Sequence, residues 1–236
     1  MQARRPGSTG PPIRSDLVPK PGGGHRRLIH LDADDSARYR ALVRPVAVAI
    51  ESRQGPGVIA NRLAMGAGPS LLSPWPPARR RWRAVMRQLA SRAPVVVTAD
   101  IADCYGSVTA GTVCRALRRC GVDDARADDL EAFLRSLEMR GVRGLPIGPE
   151  PSALLANAVL TTGDRALLRL GLRPFRWVDD LVVACPSASV ADLAIEALDE
   201  ALRGEGLRLH GTKTARWLDP AAFRRRTETR PSVVGT

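Results

Sequence analysis

Three carboxylates stand where apolar runs end or turn. Asp100 follows Val95 to Ala99, and Asp179 and Asp180 lie between the apolar segments Pro174 to Val178 and Leu181 to Cys185. The β-branched first run reads as a strand, and the second pattern reads as a tight hairpin lifting two carboxylates to the rim of a sheet. Asp100 and Asp179 are 179 − 100 = 79 residues apart, yet become neighbours if their strands pair at roughly 5 Å. Carboxylates that close repel each other unless a cation sits between them. Magnesium suits such hard oxygens, and two ions about 4 Å apart can stabilise the attacking and leaving oxygens of an in-line displacement. Asp100 and Asp179 are therefore the expected primary ligands and Asp180 the third, weaker one. Asp123 to Asp129 also holds paired acids, but at helix-start positions, where they complement the dipole.

Those residues need a body to hold them, and the composition bounds it. The chain has 236 residues, is 44% hydrophobic and carries 21 Gly and 19 Pro, enough for one sizeable core with irregular connections. Its charge is 36 − 24 = +12, which points to an anionic partner such as nucleic acid or an acidic membrane surface, with nucleic acid favoured. Cys104, Cys114, Cys120 and Cys185 form no C-x-x-C pair, so structural zinc is not expected and reduced thiols are. No secretory h-region and no apolar run of membrane-spanning length is present, and the expected location is the cytoplasm.

Residues 1–24 are rich in Pro, Gly and Arg and read as a flexible basic arm. Order is expected from His25: a strand over Arg26 to Leu31, then a helix over Ser36 to Ile50 with Asp34, Asp35 or Ser36 as its cap. A Gly/Pro-rich stretch, Gly66 to Pro77, precedes a strongly basic helix, Ala78 to Ser91. Residues 25–93 are taken as a fingers-like region. Residues 94–218 follow as strand, two helices (Thr109 to Arg119, capped by Thr109, and Asp124 to Met139), and a buried helix from Pro151 to Leu170. The hairpin, a helix capped by Ser187 or Ser189, and a closing strand pair, Gly206 to His210 with Thr214 to Leu218, complete it. The fold class is α+β, an antiparallel sheet with helices on one face. Residues 219–236 are read as a basic C-terminal tail.

Val95 to Tyr105, Gly144 to Pro149 and Phe175 to Ala184 together resemble motifs A, B and C of the reverse transcriptase palm, and the resemblance extends weakly over about residues 18 to 218. It implies a polymerase palm with partial fingers and no evident thumb, and an RNA-directed DNA polymerase that takes dNTPs and two Mg²⁺ ions, or Mn²⁺ in their place. Ile101 joins Asp100, Asp179 and Asp180 in the implied metal set. Tyr105 falls at the family's steric gate, an aromatic that excludes a 2′-hydroxyl. Gly148, Ser152 and Asn157 match the nucleotide-facing positions of motif B, whose glycines let backbone approach the nucleotide. Lys213 resembles the motif D lysine proposed to protonate pyrophosphate. Lys20 and Arg26 resemble the first fingers motif and are expected on the triphosphate. Arg79, Arg80, Arg81 and Arg83, with Trp82 among them, suit a phosphate backbone.

Two departures shape the expectation. Ile147 stands where usual reverse transcriptases have Gln, and with Val178-Asp179-Asp180 this form is closer to bacterial abortive-infection and other defence-associated members, some of which polymerise without a template. After Leu218 only a short Arg-rich segment remains, so a protein partner or a homo-oligomer would compensate for a thumb. The expected partners are thus an RNA template, a DNA primer or both. The alternatives are an untemplated DNA polymerase, a non-catalytic nucleic-acid-binding remnant, and an RNA polymerase of the same palm class, which Tyr105 disfavours.

Overall fold

Glycine turns, side-chain caps and apolar runs define the elements of the computed structural model, which describes residues 13–20, 23–66, 68 and 70–229, with side chains in the last helix described to Arg225. β1 (Arg14–Pro19) and β2 (His25–His30) form an antiparallel hairpin that sets Val18 opposite Arg26. Gly23 and Gly24 supply left-handed backbone at its turn, with φ of 88° and 75°. The expected flexible arm is therefore a strand from Arg14 onward, because a partner strand outweighs a composition that favours coil; residues 1–12 lie outside the described residues. α1 (Ala33–Val43) is capped by Asp32, which accepts from the Asp35 N–H at 2.8 Å. The cap thus lies before the three residues expected, and Asp34 and Asp35 occupy the first turn. A 3₁₀ turn at 44–46 leads to α2 (Ala47–Ser52).

α3 (Trp75–Arg92) opens on Pro76 and Pro77, whose missing N–H groups cost nothing in a first turn. Then come β3 (Val95–Asp100), α4 (Cys104–Ser107), α5 (Ala110–Arg119) capped by Thr109, and α6 (Asp124–Met139) capped by Asp123. α7 (Glu150–Arg169), β4 (Pro174–Trp177), β5 (Asp180–Cys185) and α8 (Ala188–Arg203, capped by Ser187) follow, and β6 (Ala215–Trp217) and α9 (Pro220–Thr229) end the described chain. None of the described helices is long and apolar enough to cross a membrane.

The chain divides into two compact units, each made of several separate stretches of sequence. Unit 1 takes residues 1–54, 63–73 and 103–159; unit 2 takes 55–62, 74–102 and 160–236, and α7 runs through both. Within unit 1, α6 packs on both α1 and α5, and Tyr39 of α1 meets Phe133 of α6 with ring centroids 5.1 Å apart. Arg140, almost wholly buried, is held by Asp35 at 2.5 Å.

Unit 2 is built on an antiparallel sheet in the order β4-β5-β3-β6. All six residues of β3 are buried, which explains the uninterrupted apolar run: a strand covered on both faces does not alternate. α8 packs on β3 and β5. Val85 and Leu89 of α3 and Phe223 of α9 form one core cluster with Val96 and Val182. Residues 219–236, expected as a basic tail, hence include a helix anchored by the fully buried Phe223. The closing strand pair also differs: β6 pairs with β3, whereas 206–210 contributes a single bridge, Leu209 to Ile101.

Candidate active site

β3 pairs with β5 so that Asp100 stands directly opposite Asp180, with Ala99 opposite Leu181 behind them. Directly opposed residues share a sheet face with Cβ atoms about 5 Å apart. Two carboxylates therefore meet at one strand end. β4 and β5 pair Trp177 with Asp180, leaving a two-residue turn, Val178 and Asp179. The turn bends sharply, with Val178 at φ 57°, a left-handed conformation rare for a β-branched side chain. The third carboxylate, Asp179, sits in that turn and is partly exposed like Asp180, while Asp100 is buried. The strand partner of Asp100 is thus Asp180 rather than Asp179, since the turn consumes Asp179.

The segment after β3 fixes Lys213 to the same place. The Asp100 carbonyl accepts from the His210 N–H at 2.7 Å, and the Ala102 N–H donates to the Arg208 carbonyl at 2.9 Å. The His210 carbonyl in turn accepts from the Lys213 and Thr214 N–H groups, each at 3.0 Å, before β6 returns along β3. This loop carries the Lys213 ammonium to 3.1 Å from Asp100 Oδ2. The lysine side chain is 45% exposed, so the pair contributes little to stability, under about 1 kcal/mol. It offsets one negative charge of the cluster.

These residues fit a pair of hard divalent ions. Asp100 and Asp180 stand opposite each other at one strand end, Asp179 adjoins them in the turn, and one lysine pairs with Asp100, an excess of negative charge that oxygen-seeking cations neutralise. Ile101 is buried and apolar, so only its main-chain oxygen has the chemistry to join them.

Unit 1 holds the residues expected around a nucleotide. Tyr105 lies in α4, half-buried, and its carbonyl accepts from the Leu145 N–H at 2.9 Å. Gly144 makes that approach feasible: at φ 65°, a Cβ there would fall 2.3 Å from the Tyr105 carbonyl oxygen. Gly148 is exposed at φ 126°, and beside it the Ile147 carbonyl accepts from the Ile29 N–H of β2 at 2.8 Å. Lys20 stands in the β1–β2 turn and Arg26 on β2, both exposed. Ser152 and Asn157, expected toward the nucleotide, are instead buried. The Ser152 hydroxyl lies 3.0 Å from the Tyr39 hydroxyl, and the main-chain carbonyl of Asn157 accepts from the Gln54 side chain at 3.3 Å. All of residues 151–160 are buried, so the Ser152 side chain and the Asn157 main chain brace the helix. Burial raises the Tyr39 hydroxyl's pKa well above its usual value, and Ser152 partly offsets this.

On α3, Arg80, Arg81 and Arg83 are exposed and Arg79 is half-buried. Arg81 also donates to the Pro56 carbonyl at 2.5 Å. Trp82 and Trp75 of this helix meet Trp177 at centroid distances of 6.3 and 5.6 Å, which ties the basic helix to the strand before the Asp179 turn.

Two features went unread in the sequence. Arg176 of β4 is fully buried and its guanidinium grips Asp164 of α7 at 2.9 to 3.0 Å. Its signal was a lone arginine in an apolar strand and a lone acid within the buried helix. The other is a group on α5 and α6, Cys114, Asp128 and Glu131, whose ligand atoms lie within 4.8 Å of one another. Arg118 and Arg135 already pair with its acids. Burial, with the hydrogen bond and charge of Glu131, pushes the Cys114 thiol up to about 11.

Against known proteins, the family model for reverse transcriptase (RNA-dependent DNA polymerase) matches residues 18–231. No curated protein matches the chain in sequence. Among solved structures, the chain is similar to telomerase from Candida albicans, determined in complex with a TWJ fragment of telomeric RNA, at a TM-score of 0.55 and 12% identity. The similarity covers 86% of this chain and 41% of that one, so the chain spans well under half of the telomerase chain. At that identity the likeness concerns the fold, an α+β architecture like the one expected.

Proposed function

Since the chain belongs to the reverse transcriptase (RNA-dependent DNA polymerase) family, we propose that it transfers nucleotides from dNTPs to a 3′-hydroxyl, copying RNA, with Asp100, Asp179 and Asp180 holding two Mg²⁺ ions. The observation that carries this reading is the β3–β5 register, which sets Asp100 opposite Asp180 at one end of a buried strand pair. When bound, the ions would neutralise charge on the reacting phosphate and lower the cost of forming the attacking alkoxide. The protein's own residues do the rest. Two neighbouring strands hold Asp100 and Asp180 and the tight turn before β5 holds Asp179, so the site is preorganised and needs no ordering when metal and nucleotide arrive. Lys213, one hydrogen bond from Asp100, is assigned to donate a proton to leaving pyrophosphate. Tyr105 is assigned to exclude the 2′-hydroxyl; its main chain is fixed through Leu145 and Gly144, as a steric discriminator requires. The exposed arginines of α3 and the charge of +12 suit binding of template and primer.

The test is incorporation of labelled dNTPs by the purified protein with Mg²⁺, comparing RNA template with annealed DNA primer against no template. Template-dependent product that disappears in Asp179→Asn/Asp180→Asn is expected. Template-free product lost in the same variant would replace the copying role with untemplated synthesis. No metal-dependent product under either condition would overturn the assignment.

A further inference from the structure

The Arg176–Asp164 pair has more to do than fill a core. Arg176 is 1% exposed and Asp164 6% exposed, and a buried ion pair of this kind is often no more stabilising than apolar side chains of similar volume. What apolar side chains lack is a hydrogen-bond donor, and Arg176 spends one on an unusual acceptor. Its Nε and Nη2 hold both Asp164 oxygens, while Nη1 donates to the Val178 carbonyl at 3.0 Å. Val178 is the left-handed, β-branched residue immediately before Asp179. Such a conformation persists only when its surroundings over-determine it. The main chain of Arg176 is pinned too: its N–H donates to the Gly57 carbonyl and its carbonyl accepts from the Ile59 N–H, both at 2.9 Å. Gly57 is confined to glycine, because a Cβ there would fall 2.0 Å from the Pro174 carbonyl oxygen.

We propose that Arg176 is a positioning residue, aimed by Asp164, that holds Val178 in its left-handed conformation and so sets Asp179 and Asp180 in register opposite Asp100. This rests on the reading of those carboxylates as the metal-holding site. The chain of causes is short. α7 carries Asp164, Asp164 orients the guanidinium, the guanidinium captures the turn carbonyl, and the captured turn delivers Asp179 and begins β5 at Asp180. Without the donor, Val178 relaxes toward the extended region and the two carboxylates lose their common orientation.

The test removes both charges together, as Arg176→Met/Asp164→Leu, so that no orphaned buried charge remains. Three quantities are measured: Mn²⁺ affinity by the paramagnetic resonance of free ion, amide hydrogen exchange over 177–181, and thermal unfolding. Asp179→Asn/Asp180→Asn is the binding blank. A left-handed penalty of the usual size corresponds to about tenfold weaker Mn²⁺ binding and about tenfold faster exchange, with the unfolding temperature little changed. Val178→Gly, free to adopt positive φ, should recover most of both losses in that background. Unchanged affinity and exchange in the double variant, or losses that glycine does not recover, would overturn the proposal. Should the double variant not fold, Arg176→Lys, which keeps the charge but not the fork, is judged by the same two readouts. Wild type that binds Mn²⁺ but incorporates no nucleotide would sink the polymerase reading alone. If the blank binds Mn²⁺ like wild type, the metal assignment fails and hydrogen exchange decides the clamp.

Discussion

Replacing Gly144 by alanine should unsettle the segment that carries Tyr105, and the size of the effect follows from geometry. At φ 65° alanine pays the left-handed penalty, about 1 to 2 kcal/mol. Its Cβ would lie 2.3 Å from the Tyr105 carbonyl oxygen and 2.7 Å from the Gly106 carbonyl carbon and oxygen, all backbone atoms that cannot swing aside. Relieving that overlap costs roughly 1 to 3 kcal/mol, as overpacking generally does. The Leu145 N–H to Tyr105 carbonyl bond, 2.9 Å long, would break, a further net loss of about 1 kcal/mol. The sum is about 3 to 6 kcal/mol, a large share of the 5 to 15 kcal/mol typical of a folded domain. Gly141 provides the control: its φ is 96° but nothing lies within 4 Å of an added Cβ, so Gly141→Ala should lose only about 1 to 2 kcal/mol. Urea unfolding followed by circular dichroism measures both. Under the proposed function, Gly144→Ala should also relax discrimination between dNTP and rNTP. Equal stability losses for the two alanines would refute the reasoning, because the difference between them is the collision with Tyr105.

Three further outcomes are expected. Tyr39→Phe leaves the buried Ser152 hydroxyl without its 3.0 Å partner and should cost about 1 kcal/mol, while adding Ser152→Ala should restore part of it; a double-mutant cycle by denaturant unfolding reads the coupling. Because the folded Cys114 thiol titrates near 11 rather than 9, the unfolded chain holds fewer protons between those values, so stability is level below pH 9 and falls as pH rises toward 11. Urea midpoints across that range should fall less steeply in Cys114→Ala. On α3, Arg80→Ala/Arg83→Ala removes two exposed cations and should flatten the logarithmic salt dependence of duplex binding by up to about 2, without altering dNTP concentration dependence in the polymerase assay.

What the residues alone determined is whatever acts within a few positions or through a simple period. Thr109 and Ser187 cap their helices by bonds to N–H groups three residues on, as read. The Val95 run and the Asp179 hairpin are strands because β-branched residues suit a buried sheet, and their carboxylates fall at strand ends whatever the rest of the chain does. Tertiary structure decided what depends on a distant partner. Register, set by pairing along all six residues of β3, put Asp180 rather than Asp179 opposite Asp100. The β1 strand exists through its partner β2, and the helix of α9 is anchored where Phe223 finds the cluster of α3 and the sheet. Ser152 became a buried brace because Tyr39, 113 residues away, claims its hydroxyl. Arg176 and Asp164 are the clearest case: local sequence carries two odd charges, and only the tertiary fold brings them together with the Val178 carbonyl, because burying an ion requires a partner that sequence spacing does not name.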